Sequence, residues 1–506
     1  MKLRKLASNA SYLTMDWIGI TVLSSLFWII SGKLLSSTEL GVVSTAFNFA
    51  SILQFFSSLG IGVALSKLIS EFAGGNKEAK LSAIISPAIK LILISNLLLA
   101  VIVLAFSSSL SPVLKLTTEV ILVAVALSVF LSISNLAGYI IIGFQNMRKV
   151  MLTNLVYHLV KVSISVVLVF LGFSFLGPLF GITLALLFLI ILRLDSFRMF
   201  KFSLKFQGRY KDILRYSIPA FFGGIASLVF NNVPYITLTA LQDLSITGIF
   251  TPAMLLATPL FIFPSIFSSS LFPIISNLST QVKRSNEQAL LLNIVFRYVI
   301  FLTLPLAIFL ILFSDQLILL LFKPEYLQAA QLLKILSIGA LFQGVSGIFL
   351  NTIYAMKRPK MQQNILIMGS LIFLLLSLPF TYYLAATGMT IAYIISTFML
   401  FLLSYFYVKK LIDVSLSCRT ILKILIASIL MIVFIFFTKL ILSNTYSLLL
   451  ILPGLAIYFF SLLILNFYNH VDLRLVEFLS SRAPRYLKSP LNSVRRMIQL
   501  RLKNTP

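Results

Sequence analysis

Fourteen stretches of roughly 20 apolar residues follow one another along this chain, and that succession restricts it to one class of fold. An α-helix of about 20 residues rises about 30 Å, the thickness of a bilayer's hydrocarbon core. A segment standing alone in lipid satisfies its own backbone N–H and C=O groups only as a helix. The stretches fall at 8–31, 40–66, 83–106, 119–142, 151–171, 174–192, 216–240, 246–275, 293–313, 331–353, 362–383, 388–408, 421–441 and 447–466. The expected fold is an all-α polytopic membrane protein.

Charge sets its orientation. Of the 40 Lys and Arg residues, Lys33, Lys115, Lys323 and Lys439 lie on one side of the spans. Lys67, Lys90, Lys161, Arg297 and Lys334 lie within spans or at their edges, and all the others fall on the opposite side. This is the positive-inside pattern, which puts both termini in the cytoplasm of a cell-membrane protein. The net charge of +26 would suggest nucleic acid in a soluble chain. Here attraction to anionic lipids of the inner leaflet explains the same residues, and nucleic acid is excluded as a partner. Only 11% of the 506 residues are charged, too few for the surface of a soluble domain of this size. One cysteine, Cys418, and two histidines, His158 and His470, argue against a disulfide or a metal site. No cofactor is expected. The basic start followed by an apolar run resembles a signal peptide, but the run continues past Trp28 and is read as a retained first span.

The longest inner loop, 193–215, carries seven basic and two acidic residues. It divides the chain into an N-terminal six-helix lobe (1–192), a basic cytoplasmic linker (193–215) and a C-terminal six-helix lobe (216–410). Accessory helices 13 and 14 (411–466) and a basic cytoplasmic tail (467–506) follow. In the tail, Leu491, Val494 and Ile498 share a helical face, with Arg495 and Arg496 off it, which suits a helix on the inner leaflet as well as a disordered tail. The lobes look related. GVVSTAFNFASILQFFSSLG begins at Gly41 and GIFTPAMLLATPLFIFPSIF at Gly248, each with Ala five residues on. Six spans separate them, so the repeat is parallel, a design transporters use to place a substrate site between lobes.

Ionisable groups inside a membrane normally face a cavity or a partner. Asn154, His158, Lys161 and Ser165 follow spacings of four, three and four, which places them on one face of span five. Lys161 has two readings: an anion-binding amine in a central cavity, or a packing lysine paired with Asp16 or bonded to carbonyls. Asp16 is the one carboxylate well inside a span. It is read as a partner of Lys90 or Lys161, or as a coupling acid for a proton or cation. Lys90 sits within span three; Lys67 and Arg297 lie nearer the inner boundary, where long side chains also snorkel to headgroups. Asn231 and Asn232 lie mid-span between Pro219 and Pro234, which bend the helix. A cavity richer in amines than in acids suggests an anionic substrate such as a phosphate or pyrophosphate.

GKLLSSTELGVVSTAFNFASILQFFSSLGIGVALSKLISEFAGGNKE (32–78), the segment 215–278, PEYLQAAQLLKILSIG, YAMKRPKMQQN and TGMTIAYIIS occur in an order that resembles the polysaccharide-biosynthesis membrane proteins. These are the O-antigen-type flippases of the multidrug, oligosaccharidyl-lipid and polysaccharide exporter superfamily. The resemblance implies two six-helix lobes in a V around a central cavity. It implies export of a polyprenyl- or dolichyl-(pyro)phosphate-linked oligosaccharide across the bilayer, with glycan-assembly enzymes as partners. Many relatives carry an acid where this chain has Asn232, and often Arg where it has Lys67. The expected headgroup contacts are Lys161, Lys90, Lys67, Arg297, His158, Asn154 and Asn232, with Asp16 as coupling or ion-pair acid and no catalytic residue. Two alternatives stand beside this: a cation-coupled drug or metabolite exporter, and a membrane glycosyltransferase or polymerase. The enzyme needs paired acids and a sizeable outer loop, and the sequence offers neither.

Overall fold

The computed structural model describes residues 2–72, 78–199, 209–279, 285–412, 418–441, 449–469, 472–473, 477, 496 and 499. Among them the chain is helical, without strands. The helices are α1 (Lys2–Leu34), α2 (Ser37–Ser58), α3 (Ile61–Phe72), α4 (Glu78–Ala105), α5 (Ser107–Leu114), α6 (Thr118–Gly143), α7 (Met147–Leu168), α8 (Leu176–Arg193) and α9 (Tyr210–Asn231). There follow α10 (Val233–Leu241), α11 (Leu244–Ala257), α12 (Pro259–Leu278), α13 (Ser285–Leu312), α14 (Ser314–Leu321), α15 (Ala329–Ala355), α16 (Pro359–Leu411), α17 (Cys418–Ile441) and α18 (Ile451–Ile464). Among the described residues, twelve helices are long and apolar enough to cross a membrane. The 53-residue α16 covers two expected spans, turning at Ala385, where φ is 50°; the shorter α18 supplies the last. This is a multi-pass membrane protein. The helix expected at Leu491, Val494 and Ile498 lies outside the described residues.

Several expected spans are broken, each for a local reason. Span two divides into α2 and α3 at Leu59 and Gly60, both with positive φ. Span seven divides at Asn232, two residues before Pro234, whose nitrogen has no hydrogen to donate to the preceding turn. Span eight divides at Thr258, before Pro259. The start of α2 is a capping box: Ser36 accepts from the Glu39 N–H, and the Glu39 carboxylate accepts from the Ser36 N–H at 2.8 Å.

The chain forms two compact units, Met1–Thr258 with Leu317–Gly339 and Pro359–Leu400, and Pro259–Gln316 with Ala340–Arg358 and Phe401–Pro506. In the first, Val43, Ala46 and Ala50 of α2 share one buried cluster with Ile121 and Ala124 of α6 and Ile182 and Ala185 of α8. Lipid tails are as apolar as these side chains, so close van der Waals fit rather than exclusion of water holds them. The two glycines that open the matched segments meet here. A Cβ on Gly41 would strike the carbonyl of Leu244, and a Cβ on Gly248 would strike the carbonyl of Ser37. Each glycine thus faces the carbonyl four residues before the other. Beside them a hydroxyl chain runs Thr45–Thr239–Thr247 at 2.7 and 2.8 Å. In the second unit, α12, α13, α17 and α18 line an apolar groove of 330 Å³ that includes Phe263, Phe301, Phe309, Met431, Ile435 and Phe459.

Candidate functional site

Helix α7 packs on α1, α6 and α8 and carries the polar face expected of it. In its N-terminal half Asn154 donates from Nδ2 to both carboxylate oxygens of Asp16, at 3.1 Å each. Its Oδ1 accepts from Arg193 Nη2 at 2.7 Å. Arg193 also donates to Thr153 Oγ1 from Nε and Nη2, at 3.1 and 3.0 Å, and to the Ser134 carbonyl at 2.9 Å. A Cβ on Gly138 would lie 2.9 Å from Nη1, so glycine makes room for the guanidinium. Asp16 and Arg193 are both buried. A buried acid and cation joined through a shared amide avoid the several kcal/mol that each would lose alone in a low-dielectric interior.

This corrects the pairing expected for Asp16. Its partner is not Lys90 or Lys161 but the Asn154–Arg193 relay. The sequence reading missed Arg193 by assigning it to the inner linker. The signal was present: Arg193 closes an apolar run that continues into Leu194.

Lys161, two turns further on, is 5% exposed. Its Nζ lies 4.3 Å from the centroid of the Phe27 ring and 5.7 Å from that of Tyr157. Among the described residues it makes no hydrogen bond or ion pair. A desolvated cation over an aromatic face gains roughly 2 kcal/mol, less than the several kcal/mol that burying an unpaired ion costs. His158 is 8% exposed and its Nδ1 has no hydrogen-bond partner; neither has Ser165 Oγ. Lys90 is buried in α4, past Pro87. Lys161 and Lys90 are therefore set among packed helices rather than on an open wall. Lys67 differs: its side chain is 47% exposed, 3.8 Å from Glu71, with Nζ 3.5 Å from the centroid of the Tyr216 ring.

Asn232 caps the end of α9 at the helix break, half-buried, its N–H donating to the Leu228 carbonyl at 2.9 Å. Arg297 lies in the second unit. It donates to Asp472 Oδ2 at 2.5 Å and to the Phe467 carbonyl at 2.8 Å, and Tyr298 donates its hydroxyl to the same carboxylate. Its charge is matched by an acid that the sequence reading left in the tail. The expected residues thus form one linked group (Asp16, Asn154), a neighbouring stripe (His158, Lys161) and separate single positions. Among the described residues, no three His, Cys, Asp or Glu gather as a metal ion requires.

Residues 6–279 match the family model of polysaccharide biosynthesis proteins, and residues 159–457 that of the lipid II flippase MurJ. The uncharacterized membrane protein MJ1375 of Methanocaldococcus jannaschii is 24% identical over 430 residues, 80% of this chain and 98% of that one. MJ1068 of the same organism is 28% identical over 209 residues, so the match spans only 40% of that relative's length. The fold is similar to that of lipid II flippase MurJ in an inward closed conformation, with TM-score 0.76 and 18% identity over 91% of this chain and 98% of that one. It is also similar to an inward-facing multidrug resistance MATE transporter, with TM-score 0.66 and 14% identity over 78% of this chain and 94% of the other. At these identities the likeness speaks for the fold.

Proposed function

Because the chain belongs to the polysaccharide biosynthesis protein family, we propose that it is a flippase for a lipid-linked oligosaccharide. It moves a glycan carried on a polyprenyl or dolichyl (pyro)phosphate from the cytoplasmic to the outer leaflet by alternating access. The observation that carries this reading is the pair of family models, which together run from residue 6 to 457. The chemistry agrees. The obstacle is the cost of dragging sugars and a charged phosphate through hydrocarbon, tens of kcal/mol for a bare ion in the limit. A protein lowers that cost by lending polar groups and a watered path that opens to each side in turn, without breaking a bond. Two six-helix lobes, 1–192 and 216–410, are the proposed moving parts, with both termini in the cytoplasm of a cell-membrane protein. The half-exposed Lys67 meets the phosphate first, and glycan-assembly enzymes supply the substrate. Purified protein in liposomes with a fluorescent lipid-linked oligosaccharide tests this. Accelerated arrival in the outer leaflet over empty liposomes supports it; no acceleration with any of a panel of glycans removes it. Lys67→Ala is expected to lower the rate several-fold, and an unchanged rate takes Lys67 out of the site.

One observation favours a second reading, a cation-coupled exporter: Asp16, a buried carboxylate in the first span, held by an amide rather than by a direct ion pair. Drug export from vesicles under a proton or sodium gradient, lost in Asp16→Asn, would favour it.

A further inference from the structure

We propose that Lys161 is a proton-carrying group: its amine takes up one proton and releases it once per transport cycle, making the first unit the place where translocation is coupled to protons. The inference goes beyond the flippase reading and rests on it only for the word translocation.

Three polar groups on one face of α7 carry it. Lys161 and His158 are more than nine-tenths buried, as is Ser165. The Lys161 amine has two aromatic rings for neighbours, and His158 Nδ1 and Ser165 Oγ have no hydrogen-bond partner. Beside them, α1, α7 and α8 enclose a cavity of about 10 Å³ lined by Phe27, Ser31 and Ser165, the space of one water. A structural lysine inside a membrane protein pairs with an acid or with carbonyls. Here the acid on the facing helix, Asp16, is already engaged by Asn154 and Arg193. The other groups that neighbouring elements bring are few. From α7 itself come His158 and Tyr157; from α1, the Phe27 ring, with Asp16 near the middle of the helix and Lys33 in its last turn. From α8 comes Arg193, held by Thr153, Asn154 and the Ser134 carbonyl. From α6 come Glu119 in its first turn and Tyr139 against Gly62. None provides a fixed anion at Lys161. A buried amine without a fixed anion or carbonyl is left unsatisfied until water or an anion reaches it. Its change of state needs no redox partner: a proton from water adds to the nitrogen lone pair on one side of the membrane and returns to water on the other. The stripe His158–Lys161–Ser165, with Ser31 across the small cavity, offers the hydrogen-bonding atoms along which that proton moves.

The test needs no glycan. Full-length protein in liposomes is adsorbed on a solid-supported membrane and given a step from alkaline to mildly acidic buffer. The wild type is expected to give a transient inward charge movement absent from empty liposomes. Lys161→Met, which replaces the amine with an apolar chain of similar length, is expected to lose the current while eluting as a monodisperse protein. Lys161→Gln covers the case in which Met fails to fold. No current in the wild type overturns the proposal, and so does a current that persists in either Lys161 variant. If flipping fails while the proton current survives, the flippase reading falls and this one stands.

Discussion

At the scale of single residues, the consequential fact is how Asp16 is satisfied. Asn154 uses its N–H groups on the carboxylate and its oxygen on Arg193, so the amide fixes both charges without their touching. Arg193→Met leaves a buried acid uncompensated and is expected to lower stability by about 3–5 kcal/mol, read as a fall in the thermal midpoint in detergent. Adding Asp16→Asn removes the stranded charge, so the double variant should be more stable than the sum of the two losses predicts, by roughly 0.5–3 kcal/mol. Strict additivity would dissolve the relay. The sequence made half of this legible. The spacing Asn154–His158–Lys161–Ser165 placed a polar stripe on one face, because helical periodicity depends on number alone. It did not reveal that Asp16 bypasses the lysines. Which cation an acid meets depends on how helices distant in sequence are packed, and Arg193 at a span end read as linker.

At the scale of helices, the spans were legible because the bilayer's thickness is a fixed ruler. Their breaks were only partly so. Proline marked those at Asn232 and Thr258, but nothing apolar distinguishes Leu59, which turns the chain into α3, or Ala385, which folds α16 back. The two glycines that open the matched segments, Gly41 and Gly248, lie where α2 and α11 meet. Each glycine leaves space for the other helix's backbone, and close backbone approach is what holds membrane helices together. Gly41→Val or Gly248→Val drives a side chain into a carbonyl, and overpacking of this kind costs roughly 1–3 kcal/mol. The hydroxyls of Ser37 and Ser245 lie 3.3 Å apart. In a background where Cys418 is Ser, Ser37→Cys with Ser245→Cys is therefore expected to form a disulfide on mild oxidation, seen as altered mobility on a non-reducing gel, and Gly248→Val is expected to suppress it. A cross-link that forms equally with valine in place would mean the glycines do not set the contact.

At the scale of the whole molecule, one distribution governs insertion and traffic together. Lysine and arginine are retained on the cytoplasmic side during insertion, so their bias fixes the sense in which all the spans cross. Under the proposed flippase function that sense would also be functional: the basic face would lie where an anionic lipid headgroup is loaded, and the sparsely charged face where it is let go. The orientation is testable without substrate. In the Cys418→Ser background, Glu119→Cys at the start of α6 and Lys357→Cys before α16 are both exposed positions on opposite sides of the expected bilayer. A membrane-impermeant maleimide applied to intact cells is expected to label Glu119→Cys and to reach Lys357→Cys only after permeabilisation. The reverse pattern would put the basic loops outside, where they would hold a phosphate at the exit rather than the entrance. Export by the proposed route would then require the headgroup to leave its strongest electrostatic well unaided.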